Sequence, residues 1–251
     1  MQAPARKGSE YFNYKKTHSI ILLAVCNARY EFTLVDIGEA GRQSDGGVYK
    51  NSNLGFAIDN NTINRPPPTP INSHEKMYPY VFVADDAFQM KPFMLKPFAR
   101  IDANDQKRIF NYRLSRARRI IENCFGIAAA RFRIFRKPII AKVANVIKIT
   151  KAVVALHNYM MIRQSRFGDD RYCPSNFVYR ESLDGISYGE WRNEVQGYQG
   201  LIPIASTGSN NYSRSAKEVR EDFMTYFNSK DGEVSWQYEY INRTIDPFDI
   251  N

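Results

Sequence analysis

The sequence predicts an α/β fold, because short apolar segments of strand composition are combined with long segments of helical spacing. Two apolar runs, residues 18–26 and 30–37, stand three residues apart and predict a β-hairpin. A third apolar run, residues 78–84, ends in an acidic pair. Residues 105–135 then carry apolar side chains with a period of about 3.6 residues, which predicts the longest helix.

The elements between the hairpin and the long helix follow from local signals. A glycine-rich turn comes after the hairpin, and Ser44 or Asp45 is placed to cap the helix that follows it. The motif RPPPTP predicts a surface loop before the third strand. In chain order we expect a helix at 48–58, the loop at 60–76 and a short strand at 93–98.

Two further helices are predicted after the long one. Pro138 ends the long helix, and residues 143–163 then carry apolar side chains at helical spacing. The chain becomes polar and aromatic after Phe167, with weak periodicity. Residues 215–227 predict the last helix.

Composition and charge limit the classes of function. The chain has 251 residues, 43% of them hydrophobic, so a packed core is expected. Its net charge of +9 favours polyanionic partners, because each neutralised phosphate releases counterions. Three dispersed cysteines form no CxxC pair, which argues against a structural zinc site. No apolar run is long enough to span a membrane, and the nucleus and the cytoplasm are equally compatible with these features.

The predicted long helix is strongly basic. Residues 105–137 contain ten Lys or Arg and two acids, a net charge of +8. We expect its arginines to face outward, as a solvated face or, on the sharper interpretation, as a surface that contacts the phosphate backbone of DNA. The arginines assigned to DNA binding are Arg113, Arg116, Arg118, Arg119, Arg131 and Arg133.

Acidic residues stand at the ends of predicted elements. Asp85 and Asp86 follow a strand, where open α/β sheets place their sites, so Asp85 is the best-placed ligand for a hard cation such as Mg²⁺. The alternative is a pair that starts a turn. Asp45 could equally be a helix cap and Asp36 a solvated strand end.

Glu122 is the other candidate ligand. It is the last acid of the basic helix and lies at the flank of the apolar stripe, where it could reach the edge of a sheet. The alternative is an intrahelical pair with Arg118 or Arg119. His157 is expected to be a packed side chain rather than a general base.

Several ordered segments resemble the Harbinger (PIF) group of DDE transposases and their domesticated relatives. The resemblance extends over about residues 8–162. The segments are GSEYFNYKKTHSIILLAVCNARYEFTLVDIGEAGRQSDGGVYKNSNLG, YPYVFVADDAF, KPFMLKPFAR, IFNYRLSRARRIIENCFGIAAARFRIFRKPI and ALHNYM.

This resemblance implies an RNase H-like mixed sheet flanked by helices, with an endonuclease core at residues 1–164 and a helical or irregular extension at 165–251. Asp85 matches the aspartate of the family motif D-x-A-F/Y, and Glu122 matches the glutamate of R-x-x-x-E, with Arg118 as its arginine. The two carboxylates imply a Mg²⁺ or Mn²⁺ cofactor. Asp45, in S-D-G-G-V, is implied as a further ligand.

The resemblance also implies DNA as the substrate, a location in the nucleus and a separate Myb/SANT-like DNA-binding partner. The sequence departs from the family at its start, where the first aspartate of the triad sits in a D-G-x-H-like strand. No aspartate precedes Asp36. We therefore expect a core lacking most of its first central strand, with weak or no activity. A non-catalytic DNA- or protein-binding module and an incomplete gene model are the alternatives.

Overall fold

The computed structural model describes most of the chain as two compact units. Unit 1 combines Met1–Phe56 with Arg119–Ala205, and unit 2 combines Ala57–Arg118 with Ser206–Asn251. Both units draw residues from each side of position 164, where the boundary between core and extension is predicted. The described residues are 1–4, 7–43, 45–71, 75–85, 88–99, 104–182, 185–197, 200–201 and 212–242, without the side chains of 45–46, 181–182 and 185–186.

Strands and helices are both present, so the predicted α/β class is confirmed. The strands are β1 (Ile20–Cys26), β2 (Phe32–Ala40), β3 (Thr69–Pro70), β4 (Met77–Tyr78), β5 (Phe82–Val83), β6 (Met94–Leu95), β7 (Arg180–Ser182) and β8 (Gly185–Ser187). The helices are α1 (Asp45–Asn51), α2 (Asn53–Asp59), α3 (Asp105–Arg131), α4 (Val143–Phe167), α5 (Trp191–Val195), α6 (Arg214–Phe227) and α7 (Gln237–Asn242). Among the described residues the strands form four two-stranded sheets.

The predicted hairpin is confirmed in unit 1 as the antiparallel pair β1–β2. Its second strand starts at Phe32 rather than at position 30, because Tyr30 adopts a left-handed φ of 60° and donates its N–H to the carbonyl of Asn27. The strand pair packs on α4. There the Asn158 side-chain amide donates to the carbonyl of Phe32 at 2.7 Å and accepts its N–H at 2.8 Å.

The helix predicted at 48–58 is two helices, α1 and α2, that meet at Ser52. The Ser52 hydroxyl donates to the carbonyl of Tyr49 and accepts the N–H of Gly55, both at 2.8 Å. The Asp36 carboxylate also accepts the N–H of Asn53, the first residue of α2, at 2.8 Å. A side chain that bonds nearby backbone groups in this way starts a new helix and ends the previous one.

Unit 2 contains the segment predicted as a single strand at 78–84. It forms two short strands, β4 and β5, on either side of Pro79, which has no N–H for a strand ladder. β4 pairs with β3 in antiparallel fashion and β5 pairs with β6 in parallel. The core of this unit joins buried residues of β4, β6, α3 and α6, namely Tyr78, Leu95, Phe110, Leu114, Phe223 and Tyr226.

The predicted long helices are confirmed with shifted ends. α3 stops at Arg131, and a short 3₁₀ turn occupies Arg133–Phe135. α4 runs four residues past its predicted end at 163, and Gly168 caps it with a left-handed φ of 68°. The last helix begins one residue before its predicted start at 215, whereas α5, α7 and the β7–β8 pair are elements that sequence periodicity did not reveal. In the described part of the chain, every helix is too short or too polar to cross a membrane.

Candidate active site

Asp85 lies in unit 2, immediately after β5. Its side chain is 54% exposed, and its Oδ1 lies 3.4 Å from the Arg118 guanidinium on α3. Its backbone carbonyl accepts the N–H of Phe88 at 3.1 Å, so the residue also begins a turn. The two interpretations of Asp85 are therefore compatible, because the backbone makes the turn while the carboxylate stays at the surface. Asp86 lies outside the described residues.

Glu122 lies in unit 1, on the part of α3 that follows Arg118 by one helical turn. Its side chain is exposed. Within this unit its carboxylate interacts with the Arg192 guanidinium on α5. Burial lowers the pKa of Arg192, and the negative charge of Glu122 partly reverses that effect.

The surroundings of Glu122 are built by an interaction between α3 and α5. The Asn123 side-chain oxygen accepts a hydrogen bond from the Trp191 indole Nε1–H at 3.0 Å and from the Tyr179 N–H at 3.3 Å. At Gly126, a methyl group would lie 2.3 Å from the Trp191 ring, so only glycine admits the indole at this position. Residues one and four positions after Glu122 therefore hold α5 against α3.

Sequence reasoning missed this contribution of α5. The available signal was Gly126, an unfavourable residue inside a strongly periodic helix. A glycine at such a position often marks the close approach of another group. The identity of that group depends on a contact 65 positions away along the chain, between Gly126 and Trp191, which periodicity does not reveal.

The arginines of α3 do not share one outward face, so that prediction is wrong. Arg119 is only 9% exposed and stacks on the Tyr179 ring at 4.2 Å. Arg131 stacks on Phe177 at 4.0 Å. Cation–π contacts of this kind hold a guanidinium in one orientation.

The remaining predicted DNA contacts have separate surroundings. Arg113 donates to the carbonyl of Gly232 at 3.1 Å, and burial lowers its pKa. Arg116 lies over the Trp236 ring at 5.5 Å. Arg133 is exposed in the 3₁₀ turn. Arg118 forms an ion pair with Asp85, which is a predicted metal ligand.

Asp45 and Asp36 differ in their placement. Asp45 begins α1, and its side chain lies outside the described residues. The Asp36 carboxylate accepts the backbone N–H of Asn53 at the start of α2. Asp36 therefore has a structural role as a helix cap rather than standing as a solvated strand end.

His157 is fully buried in unit 1, as predicted for a packed side chain. Its Nε2 lies 2.7 Å from the carbonyl of Tyr30 and must donate to it. Its Nδ1 therefore accepts from the hydroxyl of Tyr172, at 2.9 Å. Burial lowers the pKa of His157, so the neutral ring is the stable form. With both nitrogens engaged inside the core, this histidine is structural.

The donor chemistry of the two predicted ligands fits a hard divalent cation. Asp85 and Glu122 offer exposed carboxylate oxygens, the type of ligand that Mg²⁺ and Mn²⁺ take in proteins. Within the described ranges, no three His, Cys, Asp or Glu side chains converge as a metal-binding group.

Comparison with known proteins identifies a family. The family model of the DDE superfamily endonucleases matches residues 1–158, a range that includes both Asp85 and Glu122. No curated protein and no solved structure gives a significant match. Because the matched range covers well over half of the 251 residues, the chain belongs to the DDE superfamily endonucleases.

Proposed function

We propose that this chain is a divalent-metal-dependent DNA endonuclease domain of transposase type, with Asp85 and Glu122 as metal ligands. The family match over residues 1–158, which includes both carboxylates, carries the proposal. A Mg²⁺ or Mn²⁺ ion held by carboxylates of this kind would supply positive charge for the phosphodiester and activate the attacking water. Asp45 is proposed as a supporting ligand.

The surroundings of the carboxylates support this function. Arg118 holds the Asp85 side chain at the surface, 3.4 Å away, in a position where a stronger cation could replace it. The positive charge of α3 would attract the DNA backbone. We propose Arg113, Arg116, Arg118, Arg131 and Arg133, which are half-buried or exposed, as contacts to phosphates, whereas the buried Arg119 packs on Tyr179.

Finer features of the proposal rest on the sequence motifs. We propose the Harbinger subgroup, an RNase H-like arrangement of the core, a nuclear location and a Myb/SANT-like partner protein.

Binding of Mn²⁺, followed by isothermal titration calorimetry, tests the ligand assignment directly. We expect Asp85→Asn and Glu122→Gln each to lower Mn²⁺ affinity by about tenfold, a typical cost of losing one ligand group. Asp105→Asn is the matched control, because Asp105 is an exposed aspartate of α3 that pairs with Arg108. Its Mn²⁺ affinity is expected to stay within about twofold of the wild type.

Plasmid nicking in the presence of Mn²⁺ is the second measurement, and we expect nicking that Asp85→Asn abolishes. Equal Mn²⁺ affinity in all three variants, together with no nicking, would overturn the proposal. In that case, DNA affinity that falls steeply with salt would favour the alternative, a non-catalytic DNA-binding module.

A further inference from the structure

Arg192 belongs to a segment that the family match does not reach, since the match ends at residue 158. Its guanidinium lies 4.3 Å from the centroid of the adjacent Trp191 ring and 5.9 Å from that of Tyr188. The Trp191 indole is hydrogen-bonded to Asn123, the residue after Glu122 on α3. This contact places the segment that carries Arg192 beside α3. Two aromatic rings thus orient the Arg192 guanidinium, which lies outside the range that the family model matches.

Two arginines of unit 1, Arg192 and Arg119, lie near Glu122. Arg192 interacts with Glu122 and also with Arg119, whose positive charge disfavours a second cation nearby. The Arg192 guanidinium therefore has another guanidinium close to it, and both groups are partly or largely removed from water. A bound anion would reduce the repulsion between two guanidiniums that lie close together.

One hydrogen-bond donor of the Arg192 guanidinium has no acceptor among the described residues. This donor, the Nη1 atom, is buried. A buried donor without an acceptor is costly, and such donors are commonly satisfied by a bound group. Guanidinium groups match the oxygens of a phosphate in both charge and geometry.

We propose that Arg192 binds a phosphate of the DNA backbone next to Glu122, so that α5 completes the site. This inference rests on the proposed function, because it takes DNA as the ligand and Glu122 as part of the site. It adds a binding residue from the carboxyl-terminal part of the chain, where neither the motifs nor the family match assigns one.

DNA binding measured without metal tests this separately from cleavage. Fluorescence anisotropy with a short labelled duplex in EDTA would compare the wild type, Arg192→Ala and Arg192→Lys. We expect Arg192→Ala to weaken binding about tenfold and to reduce the salt slope by about one phosphate contact. Arg192→Lys is expected to be intermediate, because lysine keeps the charge but loses the paired geometry.

Arg163→Ala is the matched control, since Arg163 is an exposed arginine of α4. It removes the same charge and should change affinity by less than about twofold. Equal effects of Arg192→Ala and Arg163→Ala on DNA affinity would overturn the inference. They would show that Arg192 affects binding only through the net charge of the protein. Cleavage that depends on Asp85 would in that case leave the endonuclease proposal intact.

A second measurement leaves Arg192 unchanged and covers the case in which its variants do not fold. In a Trp236→Phe background, Trp191 is the remaining tryptophan of the chain, which has two. We expect DNA to change the Trp191 emission, because a phosphate on Arg192 alters the cation stacked on the indole. Unchanged emission at saturating DNA would overturn the inference.

Discussion

Asn123 on α3 accepts a hydrogen bond from the Trp191 indole of α5 at 3.0 Å, one residue beyond Glu122. This contact joins the helix that carries Glu122, a proposed metal ligand, to a segment that follows the family match. It gives Asn123, which is almost fully buried, an acceptor role for two donors from the later segment. The environment of Glu122 therefore depends on residues near position 190.

Gly126→Ala is expected to destabilise the protein, although alanine is the better helix former. The added methyl group would lie 2.3 Å from the Trp191 ring. Overpacking of this kind costs about 1–3 kcal/mol, against a gain of about 1 kcal/mol in helix propensity. Urea denaturation gives the difference in free energy of unfolding. In a Trp191→Ala background the same substitution should become neutral or stabilising, and a loss of equal size in both backgrounds would contradict the steric explanation.

Asn158→Ala is expected to lower the free energy of unfolding by about 1–3 kcal/mol, because both the N–H and the carbonyl of Phe32 lose their partner. These two hydrogen bonds between the Asn158 side chain and the Phe32 backbone join α4 to β2. Denaturation by urea measures the loss. Asn145→Ala, at an exposed position near the start of the same helix, is the control and should change stability by less than about 0.5 kcal/mol. Similar losses in the two variants would refute this role.

His157 predicts a specific loss of stability in acid. Burial lowers its pKa in the folded state, so below the ordinary pKa of about 6.5 the unfolded state binds a proton that the folded state refuses. Stability is therefore complete above this pH and falls as the pH decreases towards the folded pKa. The slope approaches about 1.4 kcal/mol per pH unit for one proton.

Denaturation at pH 7.0, 6.0 and 5.0 measures this dependence. His157→Gln should be less stable at pH 7 and should lose the part of the pH dependence that His157 contributes. His18→Gln is the control for the loss of a histidine, because His18 is only half-buried and lies outside the hydrogen bonds of His157. An unchanged slope in the His157 variant would assign the acid sensitivity to other groups.

Arg118→Gln is expected to raise Mn²⁺ affinity several-fold, under the proposal that Asp85 is a metal ligand. The Arg118 guanidinium lies 3.4 Å from the Asp85 carboxylate and competes with the metal for it. The free energy of unfolding should change by less than about 1 kcal/mol, since the pair is partly exposed. Calorimetric titration measures the affinity, with Arg108→Gln as the control at the start of α3. An affinity equal to that of the control would show that the pair does not restrain metal binding.

The sequence by itself determined the α/β class, the hairpin and the three long helices, because each depends on periodicity within one segment. It also predicts Asp85 and Glu122 as metal ligands, which stand in short ordered motifs inside the range that the family model matches. Element ends were less predictable. The backbone conformation of Tyr30 sets the start of β2, and a local hydrogen bond of Ser52 separates α1 from α2. Hydropathy does not report either effect.

Only the tertiary structure decided what surrounds these residues. The arginines of α3 looked alike in the sequence, yet Arg119 stacks on Tyr179 and Arg118 pairs with Asp85. Arg192 gave no local signal at all, because its position beside Glu122 depends on the contact between Trp191 and α3. Contacts between residues far apart in the chain depend on packing, and packing selects shape and volume rather than sequence spacing.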